Sequence, residues 1–215
     1  MLFAALMVAC AGAGADSATT IAPSTTSSTA PDDPSSTTSV PTSTTTTAES
    51  DSWDAIAPWR GGAAGEYRTT AFAVPFRFAT PSAWTGSDQI DNLSITKAGE
   101  SGIWVIDMGF TSIDEAIAHF QNMENAEFVE TTTTSIGGAT GASMDGTMVG
   151  NQTITRLRDG LTLQWRAGSE TTVHLVDVNG DLVVIIVDRR QPVPLNFAEE
   201  AKSILDSIQW RALDS

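Results

Sequence analysis

Two histidines are the side chains of this sequence best suited to act as a general base near neutral pH. His119 lies in a predicted helix beside its apolar stripe, and His174 lies in a predicted strand. Serine chemistry needs such a base next to an exposed hydroxyl, with a carboxylate that orients it. Neither histidine has these partners at a recognisable spacing. We therefore expect both to be structural or surface residues, and we expect that the chain is not an enzyme.

Three further segments have the composition of chemical motifs without their spacing. The segment 141–145 (G-A-S-M-D) departs from the nucleophile elbow G-x-S-x-G because Asp145 stands where the second Gly belongs. The segment 177–181 (D-V-N-G-D) lacks the EF-hand spacing and the distal Glu, and a hairpin turn explains it more simply. The Gly-rich segment 136–141 (I-G-G-A-T-G) fails the dinucleotide-binding pattern, and no Lys follows it. It predicts a flexible loop or bulge, with a ligand-contacting loop as the alternative.

The sequence predicts no metal site and no cofactor. Cys10 is the only cysteine, so a zinc site would need both histidines and carboxylates to come together by chance. The neighbouring carboxylates at 114–115 and 199–200 stand at the start of predicted helices. There they complement the helix dipole, and no acid–base role is needed.

Five of the six tryptophans fall into two groups. Trp84, Trp104 and Trp165 fall in or beside predicted strands and are expected in the core. Trp53 and Trp59 precede the first strand, in a lead rich in Pro and Gly. They either lock this lead onto the domain or form an exposed aromatic patch. An exposed patch would favour carbohydrate or protein contacts, which makes this pair the candidate binding residues.

The elements that must position these residues are mostly strands. Asn179 and Gly180 join two β-prone runs, 171–178 and 181–188, and this dipeptide favours the type I′ turn of a hairpin. The run 182–187 is apolar on both faces, which predicts a central strand covered on both sides. Further strands are predicted at 67–72, 76–80, 92–96, 103–106, 153–157 and 161–165.

Two helices are predicted from capping boxes that precede apolar stripes. Ser112 and Glu115 form the first box, and Asn196 and Glu199 form the second. Each stripe is one-sided, so each helix should lie on a sheet. Strands with few helices between them predict an α+β fold with a largely antiparallel β-sheet flanked by two main helices.

The first residues of the chain have a different character. An apolar run, 1–9, leads directly into Cys10, and small residues follow it. This segment resembles the lipobox of bacterial lipoproteins: Ala9 and Cys10 fit the pattern, and Met7 replaces the usual Leu. Cys10 is therefore the predicted site of lipid attachment. No Lys or Arg occurs before Arg60, and a start placed downstream of the true one would explain the missing basic residues. The alternative is a frayed apolar end with a chance cysteine.

Ser and Thr dominate the tract 17–50, which contains four Pro and no aromatic residue. Such a tract buries too little apolar surface to offset its ordering entropy, so it is predicted to be disordered. It resembles the stalks of actinobacterial lipoproteins, and both a plain spacer and an O-glycosylated stalk fit it. The predicted organisation is a signal and lipobox region at 1–16, a linker at 17–50, a lead-in at 51–66 and an α+β domain at 67–215.

The charge of the chain excludes some partners. Its 26 acidic residues outnumber its 11 basic ones, and the formal net charge is −15. The excess is scattered, with no run of like charges. Nucleic acid is therefore not expected as a partner, because phosphates require a basic face. Electrostatic docking on anionic lipid is disfavoured for the same reason.

Both ends of the domain resemble a known family. The segment 76–84 (F-R-F-A-T-P-S-A-W) is similar to the strand, Pro and Trp that open PsbP-like domains. The segment 204–210 (I-L-D-S-I-Q-W), after a hairpin and a helix, resembles their end. The resemblance covers roughly residues 67 to 211 and implies an antiparallel sheet sandwiched by helices, as in LpqN-type mycobacterial lipoproteins. It implies an accessory or binding protein, and it brings no catalytic residues.

The sequence thus predicts a surface-anchored bacterial lipoprotein with a non-catalytic extracytoplasmic domain. It would be held by its lipid at the outer face of the cell membrane or in the envelope, and it would be secreted if the anchor is absent. The domain would bind a protein, a glycan or a lipid, or serve as an accessory module. The alternative is an envelope hydrolase that uses His119 or His174.

Overall fold

The structure, a computed structural model, describes residues 53–97, 100–154 and 162–212. It confirms the α+β class, with two main helices and a large antiparallel sheet. Helix α1 spans Ile113–Gln121 and helix α2 spans Phe197–Ser207. The strands are β1 (Ala57–Pro58), β2 (Gly65–Arg68), β3 (Phe76–Thr80), β4 (Thr85–Asp88), β5 (Asn92–Thr96), β6 (Gly102–Ile106), β7 (Ala126–Phe128), β8 (Thr132–Ile136), β9 (Ala139–Met148), β10 (Gln152–Ile154), β11 (Leu163–Trp165), β12 (Glu170–Val178), β13 (Asp181–Arg189) and β14 (Gln209–Trp210).

The large sheet has the strand order β4-β5-β6-β13-β12-β9-β7, and β8 also pairs with β9. Its strand pairs are antiparallel. Strand β13 lies in the middle and is buried from Val183 to Asp188, which confirms the predicted central strand. The hairpin β12–β13 turns at Asn179 and Gly180, whose φ angles are 57° and 95°. Both angles are positive, as a type I′ turn requires, so this prediction is also confirmed.

The two faces of this sheet carry separate cores. Alternate side chains of β13 enter different clusters: Val183, Ile185 and Val187 enter one, and Val184 and Ile186 enter the other. Helix α2 packs on the first cluster through Phe197, Ala201 and Ile204, and α1 packs on the second through Ala116 and Phe120. The helices therefore cover opposite faces, as their one-sided stripes predict. Burial of each phenylalanine contributes about 1.5–3 kcal/mol.

A second sheet has the order β1-β2-β3-β14 and lies on the α2 side. Phe76 and Phe78 of β3 are fully buried in the same cluster as α2. Strand β14 pairs with β3, so the last described strand lies beside an early one. Strands β10 and β11 form the predicted hairpin at its two described arms, and its turn lies outside the described residues.

Three local predictions were wrong. Strand β2 ends at Arg68, so the strand predicted at 67–72 forms only at its first two residues. The Gly-rich segment 136–141 is not a flexible loop, because it forms the tight turn of the β8–β9 hairpin and the start of the ten-residue strand β9. The second capping box is also absent. Asn196 has a left-handed backbone, with φ 61°, and its side chain makes no capping hydrogen bond. Ser112, in contrast, is confirmed as a cap, since its Oγ accepts from the backbone N–H of Glu115 at 3.1 Å.

Within the described ranges, no helix has both the length and the apolar character needed to cross a membrane.

Candidate functional site

The predicted lipid-attachment residue, Cys10, lies outside the described residues. The candidate binding pair does not form an exposed aromatic patch, because Trp53 and Trp59 are only 7% and 1% exposed. Trp59 donates its indole N–H to the Ser94 carbonyl at 2.9 Å. Its ring also makes edge contacts with Tyr67 and Phe78, at centroid distances of 4.9 and 5.2 Å. Trp53 contacts β3, since the guanidinium carbon of Arg77 lies 5.4 Å from the centroid of its ring. Both residues therefore hold the lead on the domain, which is the other interpretation.

His119 lies on α1 at the edge of the core. Its ring packs against Phe110 and Phe120, with centroid distances of 5.2 and 5.4 Å. It also lines a cleft of about 550 Å³ between α1 and β10, together with Glu115 and Glu124. These contacts are those of a half-buried aromatic residue at a helix margin.

His174 lies on the α2 side of the sheet, on β12. Its cross-strand neighbours are Ser143 on β9 and Ile185 on β13. The Nδ1 atom is buried and has no hydrogen-bond partner among the described residues. Burial lowers the pKa of His174, and the Asp145 carboxylate raises it by less. The imidazole is therefore held neutral over a wider pH range than a free histidine.

The strand register thus brings Ser143, Asp145 and His174 onto one sheet face, which their spacing in the sequence does not show. A serine triad needs a hydrogen bond from the imidazole Nδ1 to the carboxylate. That bond is not formed at His174, and Asp145 accepts instead from the Thr172 hydroxyl at 2.5 Å. The residues are neighbours without the geometry of a catalytic relay.

A second cleft, of about 500 Å³, lies where two hairpin turns meet the last strand. We call it the hairpin cleft. The residues that shape it most are Gly137, Gly138, Asp177, Asn179, Trp210 and Arg211. The Gly-rich segment, whose alternative interpretation is a ligand-contacting loop, lines this cleft.

Gly137 is fixed by both its backbone and its neighbours. Its φ is 60°, and a Cβ at this position would lie 2.7 Å from the Ile208 carbonyl oxygen and 2.8 Å from Trp210 Nε1. Gly138 has φ 85°, but an added Cβ there would meet nothing within 4 Å. Trp210 donates its indole N–H to the Ile136 carbonyl at 2.8 Å and packs on Phe76 at 5.0 Å. The turn and the last strand therefore hold each other in place.

The opposite wall of the hairpin cleft is the β12–β13 turn. Asp177 Oδ1 accepts from the backbone N–H of Gly180 at 2.7 Å, which closes the turn. This bond accounts for the residues that resemble a calcium loop. Among the residues described, no group of three or more His, Cys, Asp or Glu side chains is arranged to hold a metal ion.

A polar cluster that the sequence did not predict surrounds Glu200. One carboxylate oxygen accepts from Ser82 Oγ at 2.5 Å, from Trp84 Nε1 at 3.0 Å and from Lys97 Nζ. Burial alone would raise the pKa of Glu200, but the hydrogen bonds from Lys97, Ser82 and Trp84 outweigh it and lower the pKa. Only 16% of the Glu200 side chain and 19% of the Lys97 side chain are exposed.

This cluster contains a Ser–Lys pair, since Lys97 Nζ lies 3.1 Å from Ser82 Oγ. In Ser–Lys enzymes the lysine must accept the hydroxyl proton through a free lone pair. An ammonium that is ion-paired with Glu200 has no lone pair to offer. The cluster therefore joins α2 to the end of β5 as a structural link.

No protein-family model matches the sequence, and no curated protein matches it. The resemblance to PsbP-like domains thus has no support from a family match. Among solved structures, the chain is similar to the crystal structure of LpqN, involved in cell envelope biogenesis of Mycobacterium tuberculosis. The identity is 8% and the TM-score 0.38, over 78% of this chain and 99% of that chain. At these values the likeness assigns no function to any residue.

Proposed function

We propose that this chain is a bacterial lipoprotein, acylated at Cys10, whose α+β domain works outside the membrane. The observation that carries the proposal is the order of segments along the chain. An apolar run leads into the single cysteine, a Ser/Thr/Pro-rich tract follows, and the described fold begins at Trp53. One acyl chain anchors a protein only marginally, whereas two or more hold it durably. The tract 17–50 would keep the domain at a distance from the bilayer.

The domain itself is proposed to bind a ligand rather than to catalyse a reaction. Supporting this, no described residue bonds the Nδ1 of His174, as the carboxylate of a serine triad does, and the ammonium of Lys97 is engaged by Glu200. The hairpin cleft offers a large concave surface with mixed polar and aromatic walls. Such clefts are the usual sites of ligand binding.

The anchor is tested with Cys10→Ala in the native gene, followed by membrane fractionation and by labelling with an alkyne analogue of palmitate. We expect the variant to lose the label and to move from membranes to the medium. Ser17→Ala, in the neighbouring tract, is the matched control and should behave as the wild type. Membrane retention of unlabelled Cys10→Ala would contradict the anchor.

An envelope hydrolase is the second candidate, and one observation favours it: Ser143 faces His174 across the strand pair, with Asp145 two residues on. The test is labelling by a fluorophosphonate, which reacts with activated serines. We expect no labelling of Ser143. Labelling that is lost in Ser143→Ala and in His174→Gln would favour the hydrolase over the binding protein.

A further inference from the structure

We propose that the hairpin cleft binds a neutral, polyhydroxylated ligand, namely a short oligosaccharide. The inference rests on the binding role proposed above and specifies the chemistry of the ligand. Three features of the cleft point to it: a fixed aromatic wall, a floor without side chains, and a balanced set of polar groups. Each feature is a property of the residues that line the cleft.

The aromatic wall is Trp210. Its indole N–H is already bonded to the Ile136 carbonyl, and its ring is held by Phe76. Trp210 is half-buried and lines the cleft. A rigid ring whose polar atom is occupied offers an apolar surface at low entropic cost. The C–H face of a sugar ring is the polyol surface that fits it.

The floor of the cleft is the turn at Gly137 and Gly138. Both residues are exposed and lack side chains, so their backbone groups are open to a ligand. A Cβ at Gly137 would clash with the end of the chain at Ile208 and Trp210. A Cβ at Gly138 would point into open space. The turn therefore brings backbone without side chains to the cleft.

The polar groups of the cleft select against ions. Asp177 carries one negative charge and Arg211 carries one positive charge, so the formal charges of the described lining residues cancel. Together with Asn179 they supply acceptors, donors and an amide that does both. A phosphate would need an excess of cationic donors, and an ammonium would need an excess of carboxylates. Hydroxyl groups, which donate and accept, match this set.

The cleft also has a suitable size. Its volume of about 500 Å³ lies inside the range of ~300–1,000 Å³ typical of small-molecule sites. The acidic cleft at His119 does not have this balance, since Glu115 and Glu124 line it.

The test is a titration of the ¹⁵N-labelled whole chain, followed by amide spectra. The probes are maltotriose and triacetylchitotriose as neutral sugars, and trigalacturonate as an acidic one. We expect the neutral probes to shift the Gly138 amide and the Trp210 indole N–H, with a dissociation constant of about 1 mM. The proposal is overturned if neither neutral probe shifts these signals at about 20 mM, if only trigalacturonate does, or if the shifts lie elsewhere on the domain.

Two variants test the cleft without unfolding it. Asp177→Asn keeps an oxygen that can accept from the Gly180 N–H, and Arg211→Gln keeps the backbone bond to the Pro75 carbonyl. Each should weaken binding by about fivefold, the value of one hydrogen bond. Arg60→Gln, an exposed position on the lead, is the matched control and should bind as the wild type. Unchanged binding in both cleft variants would overturn the proposal. Membrane fractionation of Cys10→Ala is independent of these results, so failure of the sugar site and failure of the anchor are distinguishable.

Discussion

Glu200→Ala would remove the carboxylate that joins the first turn of α2 to the end of β5. The wild-type oxygen accepts from the side chains of Ser82, Trp84 and Lys97. Without it, the Trp84 indole N–H loses its acceptor, and the Lys97 ammonium loses its carboxylate and keeps only Ser82 Oγ among its described hydrogen-bond partners. Only about a fifth of the lysine side chain is exposed there. The loss is therefore one of hydrogen bonds and of charge pairing together.

The size of the effect follows from this partial burial. Breaking a fully buried ion pair costs about 3–5 kcal/mol, whereas an exposed pair contributes ~0–1 kcal/mol. Since water reaches part of this cluster, we expect Glu200→Ala to lower the free energy of unfolding by about 2–3 kcal/mol. Glu199→Ala is the matched control, because Glu199 is exposed in the same helical turn. It loses only the interaction with the helix dipole, about 0.3–1 kcal/mol.

The assay is urea unfolding followed by tryptophan fluorescence, with Lys97→Met as the partner in a double-mutant cycle. The coupling energy between Glu200 and Lys97 should be about 1–2 kcal/mol. Because the pKa of Glu200 is lowered, its contribution is complete above the usual value of 4.5 and is lost as the pH falls through the folded-state pKa. The difference between wild type and Glu200→Gln should therefore shrink in acid. Equal losses of stability for Glu200→Ala and Glu199→Ala would show that the bonds of Glu200 to Ser82, Trp84 and Lys97 do not stabilise the fold.

Three other predictions use the same unfolding measurement. Burial lowers the pKa of His174 from 6.5, so the unfolded chain binds the proton more readily, and stability should fall as the pH drops from 6.5 towards the folded-state pKa. His174→Gln should remove that part of the pH dependence, and an unchanged profile would contradict it. Gly137→Ala should cost about 2–4 kcal/mol, from left-handed strain and a clash, whereas Gly138→Ala should cost only the strain, about 1–2 kcal/mol. A smaller loss of stability at Gly137 than at Gly138 would show that β14 shifts to make room for the added Cβ. Asn196→Gly should be neutral or stabilising by up to about 1 kcal/mol, since the backbone there is left-handed. A loss of stability of that size would indicate that the Asn196 side chain caps the helix.

The parts of the fold that the sequence predicts are those set by neighbours along the chain. The Asn179–Gly180 turn, the Ser112 cap and the doubly apolar strand β13 each depend on a few adjacent residues. The sequence pattern does not predict the β8–β9 hairpin, because its strands are rich in Thr, Ser and Gly and lack an apolar alternation. Its only strong signal, the Gly137–Gly138 pair, was interpreted as a loop.

The candidate sites depend on contacts that no local pattern records. The burial of Trp59 requires Tyr67, Phe78 and the Ser94 carbonyl, which come from different strands. Glu200 and its partner Trp84 are 116 positions apart, so their spacing carries no signal. The hairpin cleft joins two turns to the end of the chain, and only the tertiary fold brings these together.

The strand order also determines when the domain can form during synthesis. The two strands at the centre of the large sheet, β12 and β13, are among the last to be made, and β14, which completes the small sheet, follows them. Until β12 and β13 are made, β6 and β9 each lack one neighbouring strand. Until β14 is made, β3, which carries Phe76, also lacks one of its neighbours. Such long-range pairing makes folding slow. The described domain therefore cannot complete its two sheets until β13 and β14 have been made.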